Sequence, residues 1–216
     1  PAKMLAPACA SPPDAPATAP AAVEPMAPAL YVAGPAGAAL THGVHEVRLG
    51  GPYLAELPAG TWLMVNGRSA SHYRVALASD TSAWVPRESL APAPEGTVQP
   101  WAAVTTLAVE GSADGDTVSI PVPPGLPYAI RAIAPLANGT AQIELDLYGA
   151  HLAATWITHR ASARLVREVS VEQAADGRVR VRIALLGRTL WGWQVQGNGG
   201  ALQVKLQTPP RLNARA

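Results

Sequence analysis

The end of the chain contains the pattern that most restricts the fold: two short alternating segments around a glycine-rich turn. The segments are 191–196 and 201–207, and the sequence Gly-Asn-Gly-Gly separates them at 197–200. Because asparagine and glycine accept the positive φ of a tight turn, this arrangement predicts a β-hairpin. The two prolines at 209 and 210 cannot donate to a further ladder, so the hairpin ends before them.

Short segments between turn residues also fill the chain from residue 30 onward, and 22 prolines with 19 glycines interrupt it too often for long helices. At 178–184 arginine alternates with valine and isoleucine, which is typical of a half-buried strand. We therefore predict an all-β protein, with at most one helical turn at 150–163. Its parts are a Pro/Ala-rich extended leader at 1–28, a small barrel at 30–95, an antiparallel β-sandwich at 100–210 and a linker at 211–216.

Composition excludes several classes of function. The formal net charge is only +1, which argues against a nucleic-acid surface, so we expect no nucleic-acid partner. No apolar run approaches the roughly 20 residues of a membrane span. Cys9 is the single cysteine, so the chain cannot form an internal disulfide.

The first unit has an ordered set of motifs: Leu-Pro-Ala-Gly at 57–60, Val-Asn-Gly at 65–67, His-Tyr-Arg-Val-Ala-Leu at 72–77 and Ala-Trp-Val at 83–85. In this order they resemble a bacterial SH3 domain, a family that binds cell-wall peptides or glycans or serves as a spacer. The resemblance implies an SH3-like barrel. Trp62, Tyr73 and Trp84 are then candidates for a ligand-binding groove, because exposed aromatic rings suit amphipathic ligands. The alternative is that they fill the barrel core.

The second unit contains Ile-Glu-Leu-Asp-Leu-Tyr-Gly at 143–149, Arg-Glu-Val-Ser-Val-Glu-Gln at 167–173 and the closing Trp-Gly-Trp at 191–193. These segments resemble the AMIN-like β-sandwich in the non-catalytic region of bacterial N-acetylmuramoyl-L-alanine amidases. The resemblance implies an exported protein of the periplasm or cell envelope that targets a peptidoglycan amidase to the wall. The family's zinc hydrolase motif has no counterpart in this chain, so we predict no catalytic residue and leave open whether a catalytic domain follows.

Arg178, Arg180 and Arg182 define a positive stripe on one face of a predicted strand. Such a stripe could bind an anionic wall polymer or an acidic partner, for example a protein of the envelope or of a surface-layer assembly. The alternative is a solvated face that protects the sheet edge.

Histidines offer the only candidate metal site. His42 and His45 are close in sequence, Gly43 permits a bend between them, and His72 lies on a predicted barrel strand. Three imidazoles would suit copper or zinc, and an open copper site would support redox chemistry such as superoxide dismutation. The alternative is that these are isolated surface histidines, since no C-x-x-C or H-E-x-x-H accompanies them; we otherwise expect no cofactor.

Overall fold

The computed structural model describes residues 23–44, 53–133, 135 and 139–208. These residues form sixteen strands and one turn of 3-10 helix at Arg87–Ser89, without any α-helix among them. The predicted all-β class is therefore confirmed. Within the same ranges, no helix is long and apolar enough to cross a membrane.

The first seven strands form one antiparallel sheet in the order β3-β2-β6-β5-β4-β1-β7. Alternate residues of these strands face a core, among them Leu63, Val65 and Val75. The first strand begins inside the region predicted as leader. The described strands leave β3 and β7 as separate edges, so they form an open sheet and not a closed barrel. Strand bounds are β1 (Glu24–Ala33), β2 (Ala38–Thr41), β3 (Tyr53–Leu57), β4 (Trp62–Arg68), β5 (His72–Ala76), β6 (Ser82–Pro86) and β7 (Leu90–Pro92).

The remaining nine strands form two further sheets, with the orders β10-β11-β14-β13 and β12-β8-β9-β16-β15. Their buried faces contribute to one hydrophobic core, consistent with the predicted β-sandwich. The bounds are β8 (Ala102–Gly111), β9 (Gly115–Pro121), β10 (Tyr128–Ile133), β11 (Gln142–Leu147), β12 (Ala150–His159), β13 (Val166–Gln173), β14 (Val179–Leu185), β15 (Trp193–Asn198) and β16 (Ala201–Gln207).

The terminal hairpin is confirmed. Strands β15 and β16 pair in antiparallel register from Trp193 opposite Leu206 to Asn198 opposite Ala201. The two residues between them, Gly199 and Gly200, have φ values of 55° and 106°. Two consecutive positive φ values are what a type I′ hairpin turn requires, which explains the glycine pair.

Strand β12 corrects the sequence prediction, because the helical turn expected at 150–163 is wrong. Ala150–His159 is a strand that pairs in parallel with β8, with a register shift between Leu152 and Trp156. This irregularity interrupts the period-two pattern, so the segment lacks the clean alternation that would mark it as a strand.

A buried carboxylate joins the two sheets of the sandwich. Asp116 lies on β9 and is only 2% exposed. Its oxygens accept hydrogen bonds from the backbone N–H groups of Arg164, Leu165 and Val166, at 3.0, 2.7 and 2.8 Å. These residues lead into β13 of the other sheet, so one side chain fixes the entry to that strand.

The seven-stranded sheet contacts the sandwich along a seam. The Ser79 N–H donates to the backbone carbonyl of Asp176 at 3.3 Å. The Thr81 hydroxyl donates to the Asp176 carboxylate, also at 3.3 Å. The Trp62 N–H donates to the Gly125 carbonyl at 2.9 Å. The two predicted units are therefore in direct hydrogen-bonded contact.

Candidate functional site

The three predicted aromatic residues do not line one groove. Tyr73 pairs with Val85, which is buried, whereas Trp84 lies opposite Arg74. Because successive strand residues point to opposite faces, Tyr73 and Trp84 lie on opposite faces of the sheet. Trp62 packs at the seam: a β-carbon on Gly125 would lie 2.6 Å from its Cδ1 atom. None of the three rings is fully buried, but Tyr73 packs against the hydrophobic core, as the core-filling alternative expects for it.

Tyr73 belongs to a separate aromatic and cationic cluster. Its ring centroid lies 4.9 Å from that of Tyr31, and the Arg87 guanidinium carbon lies 5.2 Å from the Tyr73 centroid. Burial, followed by the hydrogen bond with Tyr73, raises the pKa of Tyr31. The Tyr31 hydroxyl therefore stays neutral near pH 7, and the tilted ring pair links β1 to β5 across the intervening strand β4.

The predicted arginine stripe is a ladder of ion pairs. The Arg180 Nε atom lies 2.7 Å from Asp146 Oδ1, and Arg182 Nε lies 3.0 Å from Glu144 Oε1. Arg178 Nε lies 3.2 Å from Asp176. The side chains of Glu144 and Asp146 are almost fully buried, and Arg180 is only 15% exposed.

One end of this ladder faces the seven-stranded sheet. A small cavity between them is lined by His42, Tyr53 and Thr81 from one side and by Arg131, Asp146 and Arg178 from the other. Binding of an external polymer by these arginines remains a prediction. The geometry gives them partners inside the protein, because each guanidinium already faces a carboxylate.

The structure does not bring the described candidate metal ligands together. His42 follows Thr41, which lies opposite Trp84, whereas His72 lies opposite Pro86 on the other side of β6. The Cα atoms of the two histidines are thus about 10 Å apart along the strand direction and about 10 Å apart across the strands. Two imidazoles that share an ion each contact it at about 2 Å, which this separation does not allow.

The third candidate, His45, lies outside the described residues. The described ranges contain no group of three or more His, Cys, Asp or Glu side chains placed to hold a metal ion. His72 contacts Ser71 instead, with its Nδ1 atom 2.8 Å from the hydroxyl oxygen.

A cleft of about 460 Å³ opens where edges of the three sheets meet. Its walls come from β3, β10 and β15, and include Tyr53, Glu56, Tyr128 and Trp193. The Tyr128 hydroxyl donates to the Glu56 carbonyl at 2.9 Å, and the Tyr53 hydroxyl donates to the Glu56 carboxylate at 3.1 Å. Burial, with the nearby Glu56 charge, raises the pKa of Tyr128 to about 12, so it stays a hydrogen-bond donor at neutral pH.

A second candidate surface is the outer face of the five-stranded sheet. Trp101 precedes β8 and is 66% exposed, and Trp156 on β12 is 74% exposed. The Trp101 ring lies 5.1 Å from the His151 ring at 31°. Tryptophan combines a large apolar ring with an N–H donor and is enriched at interfaces, so two exposed tryptophans on one sheet face mark a candidate binding surface.

The rest of that face carries mostly neutral hydrogen-bonding side chains. In one row across the sheet, Gln196 lies opposite Gln203, Gln203 opposite Ser119, and Ser119 opposite Ala108. The Gln203 amide donates to the Ser119 hydroxyl at 3.4 Å. Hydroxyl and amide groups on the same sheet face as exposed aromatic rings suit a ligand that offers both hydroxyls and apolar faces, as sugars do.

The sequence does not reveal this surface, because the expectation for 150–163, which contains Trp156, is at most one helical turn and no strand. The parallel pairing of β12 with β8 places Trp156 opposite Thr106, on the same outer face as Trp101. That pairing joins residues about 50 positions apart and leaves no local signal in the sequence.

Comparison with known proteins identifies no relative. The chain matches no protein-family model, no curated protein and no solved structure. The class that the fold itself defines is an all-β protein with a β-sandwich.

Proposed function

We propose that this chain is a non-catalytic binding module of the bacterial cell envelope, which adsorbs to a wall polymer through the outer face of its five-stranded sheet. The observation that carries the proposal is the exposure of Trp101 and Trp156 on a sheet face that also carries hydroxyl and amide side chains. Tryptophan supplies large contact area at low entropic cost, and the polar neighbours supply hydrogen bonds to a hydroxylated ligand.

The wall polymer proposed is peptidoglycan. The segments that resemble amidase targeting regions fall on β11, β13 and the entry to β15, and so belong to one sandwich. In this proposal the module holds an N-acetylmuramoyl-L-alanine amidase in the periplasm or at the cell surface, alone or as part of a surface-layer assembly.

Cosedimentation with purified peptidoglycan sacculi tests the proposal. The chain is expected to pellet with sacculi well above its level with insoluble cellulose. The double substitution Trp101→Ala with Trp156→Ala should lower apparent affinity at least fivefold, because both aromatic platforms are lost. Trp191→Ala is the matched control, since Trp191 is 59% exposed but lies before β15 and outside this face.

No pelleting above the cellulose level would refute wall binding. An equal loss of affinity in the double variant and in the Trp191→Ala control would refute binding through this face, because any exposed tryptophan would then contribute equally.

A further inference from the structure

The outer edge of β15 carries unpaired backbone groups. This strand ends the five-stranded sheet, and within the described ranges it pairs with β16 alone. In an antiparallel pair, residues whose N–H and C=O groups face the partner alternate with residues whose groups face away. The Gln207 N–H donates to the Gly192 carbonyl at 2.9 Å, so Gly192 and every second residue after it direct their groups towards β16. Trp193, Val195 and Gly197 therefore direct their N–H and C=O groups away from β16.

The other sheet edges in the described part of the chain are protected. The Tyr128 hydroxyl covers the outward carbonyl of Glu56 on β3. Strand β7 has three residues and ends at Pro92, and β10 carries Arg131. Strands β12 and β13 each contain a register shift. Proline, charge, bulges and short length are the usual devices against edge pairing, and β15 has none of them over six residues.

The exposed edge of β15 faces the seam cleft. Trp193, Val195 and Gly197 all line the cleft of about 460 Å³, opposite Glu56 on β3. The Glu56 carboxylate accepts a hydrogen bond from Tyr53 and forms no ion pair with any described residue. The cleft thus combines a row of backbone donors and acceptors with one uncompensated negative charge.

We propose that the edge of β15 binds an extended segment of a partner protein by strand addition, with a lysine or arginine side chain of that segment facing Glu56. Three outward residues offer three N–H and three C=O groups at strand spacing, and only another extended polypeptide matches that pattern. The charge complementarity selects a basic segment. This interaction goes beyond wall binding, because it uses a different surface and a protein ligand.

The first test uses a blocked eight-residue peptide that alternates valine and threonine around one lysine, titrated into the ¹⁵N-labelled chain. The expected result is a shift of the amide signals of Trp193, Val195 and Gly197. Val195→Pro should weaken binding at least tenfold, because it removes an outward N–H and adds a ring to the edge without breaking a bond to β16. Val195→Ala is the matched control, with less than a threefold effect, because it keeps that N–H.

The second test changes only the peptide and so does not depend on folding of a variant. A peptide that is N-methylated along both of its edges should not bind, and replacing the lysine with glutamate should weaken binding at least threefold. Glu56→Gln should remove this preference for lysine. Trp101→Ala with Trp156→Ala should leave peptide affinity unchanged, which separates this site from the wall-binding face.

Several results would overturn the proposal. These are a peptide that shifts no β15 amide, equal affinity of the N-methylated peptide, or a soluble sugar fragment that shifts the same amides when the peptide does not. A concentration-dependent dimer that Val195→Pro dissociates would also overturn it, because the edge would then be occupied by a second copy.

Discussion

Replacing the buried carboxylate of Asp116 is expected to lower the free energy of unfolding more than most single substitutions do. The carboxylate accepts bonds from three backbone N–H groups at the entry to β13. Val166 is buried and Leu165 half-buried, whereas Arg164 is exposed and water can replace its lost bond. Two unsatisfied amides at about 1–3 kcal/mol each give a loss of about 2–6 kcal/mol for Asp116→Ala. This is a large part of the ~5–15 kcal/mol stability of a typical domain.

Urea unfolding followed by tryptophan fluorescence and circular dichroism measures this loss. Asp116→Asn keeps one acceptor oxygen but presents an NH₂ group to the same donors, so its cost should fall between those of wild type and alanine. Asp114→Ala is the control, because Asp114 is exposed in the neighbouring turn, and it should cost less than ~0.5 kcal/mol. A loss below ~0.5 kcal/mol for Asp116→Ala would refute the reasoning that this carboxylate holds the two sheets in place.

Three other perturbations test separate parts of the fold. Gly125→Ala places a β-carbon 2.7 Å from the Gly60 carbonyl oxygen at a φ of +86°. It should therefore lower the free energy of unfolding more than Gly177→Ala, where φ is +93° and nothing lies within 4 Å. Equal urea midpoints for the two variants would contradict the seam contact. Burial raises the pKa of Glu144, but hydrogen bonds from two arginines outweigh it and leave the pKa below its usual value of 4.5. Its contribution to the free energy of unfolding is therefore present above about pH 4.5 and lost as the pH falls further, and Glu144→Gln should reduce that acid-induced loss. Tyr128→Phe should remove a phenol that ionises near pH 12, seen by absorbance at 295 nm, and cost about 1 kcal/mol in urea unfolding.

Local sequence signals predicted those elements whose geometry is set locally. The alternation at 178–184 predicted β14, and its valines and Ile183 are buried as expected. The Asn-Gly-Gly turn predicted the terminal hairpin, because few other residues adopt two successive positive φ values. By contrast, β12 was mistaken for a region with at most one helical turn, because a register shift interrupts its alternation.

The candidate sites depended on contacts that no local pattern encodes. The alternation in the sequence places Arg180 and Arg182 on one face of β14, but Asp146, the partner of Arg180, is 34 positions away. Trp62 fitted a binding groove by sequence, yet it packs against Gly125 from the other unit. The edge that β15 leaves exposed follows from the order of strands in the sheet, which a hairpin signal does not reveal.

The most direct test of wall binding is oxidation of the tryptophans by N-bromosuccinimide in the presence of purified peptidoglycan, with mass spectrometry of each site. Trp101, Trp156 and Trp191 are all more than half exposed and should react at similar rates in the free protein. We predict that peptidoglycan protects Trp101 and Trp156 while Trp191 remains reactive. Equal protection of all three, or protection of none, would contradict binding through the outer face of the five-stranded sheet.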